Sequence, residues 1–281
     1  MTAHRPVSPR ARRTIVALSL VIAFGCGTMA KAGDADNLYR SQTVLTGQGE
    51  ANRVIGFASC LEDVLIKITG ALKLAGDPRL QPYKARAGDF VKTFRYHDKM
   101  SGTPVRDEQG TRDRPYDLFV AFDEEKINGV LSELGLTPWL SRPVLGVFVA
   151  MEQGARTYVV SSDARASDLQ RDALLAAADK RGMRIALPDE AALARSSLTG
   201  GGLATRSPQQ LLPDLAPQGA ELVLIGHLRW DDGDLGWATD WRLDWQGRPY
   251  RWQFRGVTFD EAFRRGIGGA AQILSGNGDP D

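Results

Sequence analysis

Few residues of this 281-residue chain could do chemistry, and the best group by type is His227 in "LVLIGHLRW" with Asp240 and Asp244 in "WATDWRLDW". An imidazole titrates near neutrality, and beside two carboxylates it could act as a general acid or base in a hydrolase. The simpler alternative for His227 is a satisfied structural residue, because the strand before it is apolar on both faces. Asp240 and Asp244 alternate with Arg242 and precede the arginines Arg251 and Arg255, so a solvated ladder of cross-strand ion pairs also accounts for them. There is no GxSxG elbow, no HExxH and no Ser-x-x-Lys pair of the penicillin-binding kind, and no catalytic residue is assigned.

Metals and cofactors fare worse. Three histidines and two cysteines are too few and too scattered for a structural zinc site, and "DDGD" (231–234) lacks the ligand spacing of a calcium loop and is expected to be a turn. In "TGQGEANR" (46–53) two glycines precede a helix as in a phosphate loop. However, Asn52 stands where the dinucleotide motif needs its third glycine, and the chain has no Gly-Lys-Ser/Thr. Gly47 and Gly49 are expected to do no more than turn a strand into a helix. Cys60, between Phe57 and Val64, is expected to be a buried apolar thiol with no Lys or His beside it in sequence to activate it. Neither a metal nor a cofactor is expected.

One cluster could bind a ligand without reacting with it. Trp237, Trp241 and Trp245 on one segment and Tyr250, Trp252 and Phe254 on the next could offer flat faces to a glycan, with His227 at the margin. Core packing beneath a final helix carrying Phe259, Phe263, Ile267 and Ile273 explains the same aromatic residues.

The elements that must position these residues follow from periodicity. "LYRSQTVLTG" (38–47) is a strand, after which Val54, Ala58, Leu61, Leu65 and Ile68 mark an amphipathic helix over about residues 50–69. A short helix near 77–89, the strand "DFVKTFRYHD", a polar loop, and the strand and helix of "YDLFVAFDEEKINGVLSELG" complete a β-α-α-β-β-α domain over 38–135. "LTPWLSRP" (136–143) is the linker. The second domain, 144–275, opens with "PVLGVFVAME" and "RTYVVSS". Ser167 and Gln170 fit a capping box on the helix "DLQRDALLAAADKRG". "MRIALP" is a strand, "RSSLTGGGLATRSP" (195–208) a slack surface loop, and "QQLLPDL" a short helix. In "LGWATDWRLDWQ" the residues Trp237, Thr239, Trp241, Leu243 and Trp245 share one face and Ala238, Asp240, Arg242 and Asp244 the other. "PYRWQFRG" repeats the pattern, which makes an antiparallel hairpin across "QGRP". The fold class is α/β of the α+β kind: two small domains, each a mixed or antiparallel sheet packed with helices. The second ends in a Trp-rich antiparallel meander and a C-terminal helix, and 276–281 is a disordered tail.

Residues 1–32 have the pattern of a secretory signal: Arg5, Arg10, Arg12 and Arg13, the apolar run "TIVALSLVIAFGCGTM", and the small-x-small site Ala30-Lys31-Ala32 before Gly33. Cleavage is expected between Ala32 and Gly33. The run is well short of the roughly 20 residues that span a bilayer, so no transmembrane span is expected after cleavage. Ala23 and Phe24 are poor lipobox residues, which sets acylation of Cys26 behind simple cleavage. Arg12-Arg13 belongs to the basic leader before it belongs to a twin-arginine signal. Cleavage would leave 30 basic against 34 acidic residues, a net −4, and remove every disulfide partner of Cys60. That charge argues against nucleic acid as a partner.

"YRSQTVLTGQGEANRVIGFASCLEDVLIKITG" (39–70) resembles the opening of bacterial domain-of-unknown-function family 2066, with its Val/Ile-x-x-Ser/Thr-Gly ending. "RPVLGVFVAME", "RGMRIALPD" and "GAELVLIGHLRW" with the tryptophan-rich hairpin resemble that family's second half. The resemblance spans nearly all of the chain after the leader and implies no activity, cofactor or catalytic residue. More distantly, the second half is similar to the α/β domains of periplasmic lipoproteins that build curli pores or activate cell-wall synthases, which bind other proteins. The expectation is an exported periplasmic protein, a non-catalytic binding or assembly factor whose partner is an envelope protein or cell-wall component. The rivals are an envelope hydrolase around His227, Asp240 and Asp244, and a cell-wall glycan-binding module using Trp237, Trp241, Trp245 and Trp252.

Overall fold

A computed structural model describes residues 1–2, 38–102 and 114–280. The leader with Cys26 and the Ala32–Gly33 junction, and the middle of the polar loop, lie outside the described residues. Residues 31–281 group as one compact unit. Its class is α+β, with one antiparallel sheet and one mixed sheet.

The first sheet has the order β1-β3-β2, from strands Arg40–Thr46, Val91–Asp98 and Pro115–Phe122. Helix α1, Glu50–Thr69, covers one face with Phe57, Leu61, Val64, Leu65 and Ile68, against Leu118, Val120 and Phe122 of β3. Gly47, at φ 82, supplies the strand-to-helix turn, and the Asn52 amide donates back to the Thr46 carbonyl. The region 78–90 is a chain of short helical turns around α2, Gln81–Lys84. Helix α3, Glu124–Glu133, is capped by the Asp123 side chain and closes this layer with Ile127, Val130 and Leu131.

The second sheet runs β5-β4-β7-β8-β9, with β6 also pairing to β4. Strand β4 (Val144–Gln153) is parallel to β6 (Arg184–Ala186) and β7 (Leu222–Asp231), and antiparallel to β5 (Arg156–Val159). β7, β8 (Gly236–Trp245) and β9 (Arg248–Val257) form the antiparallel meander. Gln246 and Gly247, both at positive φ, make the two-residue hairpin turn whose twist suits paired strands. Helices α4 (Asp168–Lys180) and α8 (Phe259–Leu274) cover one face. On the other, α5 (Glu190–Arg195), α6 (Gly200–Leu203) and α7 (Pro208–Leu215) pack over the β4 and β7 side, through Leu203, Leu211 and Leu215 on Phe148, Val223 and Ile225, and meet β8 through polar bonds to Arg242 and Asp244.

Three local expectations are corrected here. The segment 195–208 is not slack: Thr199 caps α6, and Leu198 and Leu203 are buried, which anchors it. Ser167 forms no capping box, because its hydroxyl is taken up by the Ser161 backbone. The reciprocal box is formed instead by Ser207 and Gln210 on α7. The tail is ordered through 280: Asn277 donates to the Thr69 carbonyl, Gln272 to the Asp279 carbonyl, and Arg248 pairs with Asp279 at 2.9 Å.

The segment joining the sheets is itself a fastening. The last carbonyls of α1 would be orphans, yet each has a donor. Ile66 accepts from the Gly70 N–H, Lys67 from the Arg142 guanidinium, Ile68 from the Trp139 N–H and Thr69 from Asn277. Arg142 also donates to the Arg181 carbonyl at 2.7 Å and stacks on Trp139. Burial pushes its guanidinium down to about 10, which still leaves it charged at neutral pH, where a cation suits a helix C-terminus.

Candidate functional site

Two depressions stand out in this frame. The larger is a cleft of about 740 Å³ between the uncovered face of the first sheet and helices α4 and α8. Arg40, Gln42, Thr93, Arg95 and Phe119 line the sheet side; Ala173, Ala176, Asp179 and Lys180 of α4 and Asp260 and Arg264 of α8 line the other. Arg95 lies 4.0 Å over the Phe119 ring, so the sheet side presents a cation on an aromatic plane. Lys67 reaches the cleft from α1 and donates to the Arg40 carbonyl at 2.9 Å, and burial lowers its amine below the usual lysine value. Lys180 pairs with Asp63 at 3.1 Å and Arg264 with Glu261 at 2.8 Å. Among the described residues the lining holds five cationic side chains, two carboxylates, and neither histidine nor thiol.

The smaller depression, about 300 Å³, is on the open face of β7, β8 and β9 and is lined by His227, Asp240 and four arginines. His227 Nε2 lies 3.1 Å from Glu152 Oε2, its hydrogen-bond partner among the described residues. Asp240 is the cross-strand neighbour of His227 and accepts from Gln253 at 2.9 Å. Asp244 is not part of this group. Four residues along β8, about 13 Å away at the strand rise, it is held by Gln209 of α7. The hydroxyl lining the depression belongs to Thr239, which is 4 % exposed and accepts the Phe254 N–H, so among the described lining residues no exposed hydroxyl or thiol stands beside His227.

The expected ion-pair ladder is absent from the described hairpin. Register places Arg242 against Arg251, Asp240 against Gln253 and Asp244 against Pro249. Alternation fixed which side chains share a face; the register, set by the tight turn at Gln246-Gly247, decided their neighbours.

The tryptophans are core. Trp241 is fully buried, Trp237 and Trp252 nearly so, and Trp245 is half-buried at the hairpin end. Trp241 fills the space over Gly226 and Gly266, where a Cβ would stand within 2.6 Å and 2.4 Å of its ring. Stacking faces for a glycan are therefore taken up by α8. Cys60 is buried, and its thiol is pushed up to about 12 by that burial. Among the described residues no His/Cys/Asp/Glu group could hold a metal, and no helix is long and apolar enough to cross a membrane.

The cleft itself was missed by sequence reasoning. Its residues come from six elements, and each alone reads as ordinary strand or helix surface. Residues 32–140 match the model of a domain of unknown function (DUF8605), which ends inside the segment joining the two sheets. No curated protein and no solved structure matches the chain.

Proposed function

We propose that the chain is a non-catalytic binding or assembly factor for an envelope component in the bacterial periplasm. The observation that carries this is the cleft between the first sheet and α4 and α8: ligand-sized, aromatic and apolar in part, and richer in guanidinium and ammonium groups than in carboxylates. Such a lining suits an acidic, partly apolar segment of a partner protein. The field steers the encounter, and the Phe119 and alanine surfaces supply contact area. The basic and apolar leader with its small-x-small site supports export, and kinship with family 2066 is part of the same proposal, resting on the stretches quoted from both halves.

In-cell crosslinking of the tagged chain, with captured proteins identified by mass spectrometry, tests it. One dominant envelope protein at near-stoichiometric yield is expected, and Arg95→Glu, a charge reversal at an exposed position, should reduce that yield at least about tenfold. A reproducible absence of any partner, or an unchanged yield with Arg95→Glu, rejects the proposal.

A further inference from the structure

Among the described residues, four arginines line the depression on the open face of β7, β8 and β9 against the single carboxylate of Asp240. Arg242 and Arg251 are direct cross-strand neighbours, an arrangement that destabilises a sheet unless something anionic lies between. Arg242 donates to the Leu203 carbonyl, and among the described residues Arg229, Arg251 and Arg255 form no ion pair or side-chain hydrogen bond. The carboxylates nearby are occupied: Glu152 by His227, Asp240 by Gln253 and Asp244 by Gln209.

The arginines are also ordered. Arg242 and Arg251 form one cross-strand row, and the row beside it is His227, Asp240 and Gln253. The third row has Arg229 opposite Ala238. There the bulge sets Arg255 and Gly256 together against Ala238, because Trp237 pairs with Val257 and Thr239 with Phe254. Gly256 takes φ +65, and Gly236 lets the two backbones close, since a Cβ there would be 2.8 Å from Gly256. Arg255 follows Arg251 and Gln253 onto the open face by alternation along β9, and all three line the depression. Rows are about 7 Å apart, so two arginine pairs flank one carboxylate.

We propose that this depression binds a small dianion whose two acidic ends are joined by a hydrogen-bond-donating centre. Arg242 and Arg251 hold one end through forked N–H donors, and Arg229 and Arg255 hold the other. Asp240 repels an anionic centre and accepts from a hydroxyl there. The chemical class is a hydroxylated dicarboxylate of a size the roughly 300 Å³ space can take. This site is separate from the cleft and does not depend on the role proposed for it.

Calorimetric titration of the full chain at low salt with glucarate, which has a hydroxyl on every internal carbon, and with adipate, its unhydroxylated equivalent, tests the site. Saturable glucarate binding is expected, weakened at least about tenfold by Arg251→Gln and by Arg255→Gln, with adipate about tenfold weaker than glucarate. Arg251→Gln removes a like-charge contact, so its melting temperature should be no lower than the parent's. Arg251→Lys, which keeps the charge without the fork, covers a failure of that variant to fold, with a several-fold loss expected. No saturable glucarate binding, binding indifferent to both arginine variants, or adipate binding as tightly as glucarate would each overturn the proposal.

Discussion

The two sheets leave different faces open. The first is covered by α1 on one side, and its other side looks across a cleft at α4 and α8 with Phe119, Arg95 and Gln42. The second is buried on both sides where α4 and α8 oppose α5 to α7, and β4 is accordingly apolar on both faces. Beyond the apolar packing of α6 and α7 the same sheet changes character: β8 and β9 keep tryptophans under α8 and turn arginines outward. Coverage, strand by strand, decides residue type. The cleft, with aromatic and aliphatic surface beside its cations, is the one proposed for a macromolecular partner, and the smaller depression, with four arginines around Asp240, the one proposed for a small anion.

The strongest way to break this comparison is to empty the covered side. Trp241→Ala should cost about 3–5 kcal/mol in urea unfolding, because Gly226 and Gly266 leave no side chain to collapse into the void. Trp241→Phe should cost much less, since it keeps a ring there and removes an indole N–H that has no partner among the described residues. A small effect of Trp241→Ala would mean that α8 does not seal the sheet.

The joint comes next. Arg142→Ala should cost about 3 kcal/mol by the same measurement, because the Lys67 and Arg181 carbonyls lose a buried donor together. Arg142→Lys should not restore it, as a point charge cannot serve carbonyls on both sides. The effect smallest at neutral pH is an alkaline one and belongs to Cys60 of α1. The Cys60 thiol rises from 9.0 to about 12 on folding, so its contribution to stability is intact below pH 9 and is lost as pH climbs toward 12. The thiol's share of the slope should approach about 1.4 kcal/mol per pH unit, so the loss should be shallower in Cys60→Ala, which chemical unfolding at stepped pH would read.

Much of the architecture was legible because it rests on short-range pattern. The stripe of α1, the alternation of β8 and the turn at Gln246-Gly247 each declare themselves within about ten residues. What stayed hidden depends on contacts distant in sequence. Arg142 is an ordinary arginine in "LSRP" until α1 and the Arg181 carbonyl converge on it. Asn277 meets Thr69 across 208 positions. Arg242 has the spacing of a partner for acids and meets another arginine, because the tight turn alone sets the register there. His227 and Asp240 do meet across β7 and β8, whereas Asp244, near them in sequence, lies four residues along β8 and is held by Gln209.

The fastening at the end of α1 has a consequence for recognition kinetics. With Arg142, Trp139 and Asn277 all bonded to that helix end, the walls of the cleft are held at a fixed gauge. A partner therefore meets a preorganised surface and loses little free energy to ordering the receptor. Association should follow a single exponential whose rate rises linearly with partner concentration, with no slow closing phase behind it.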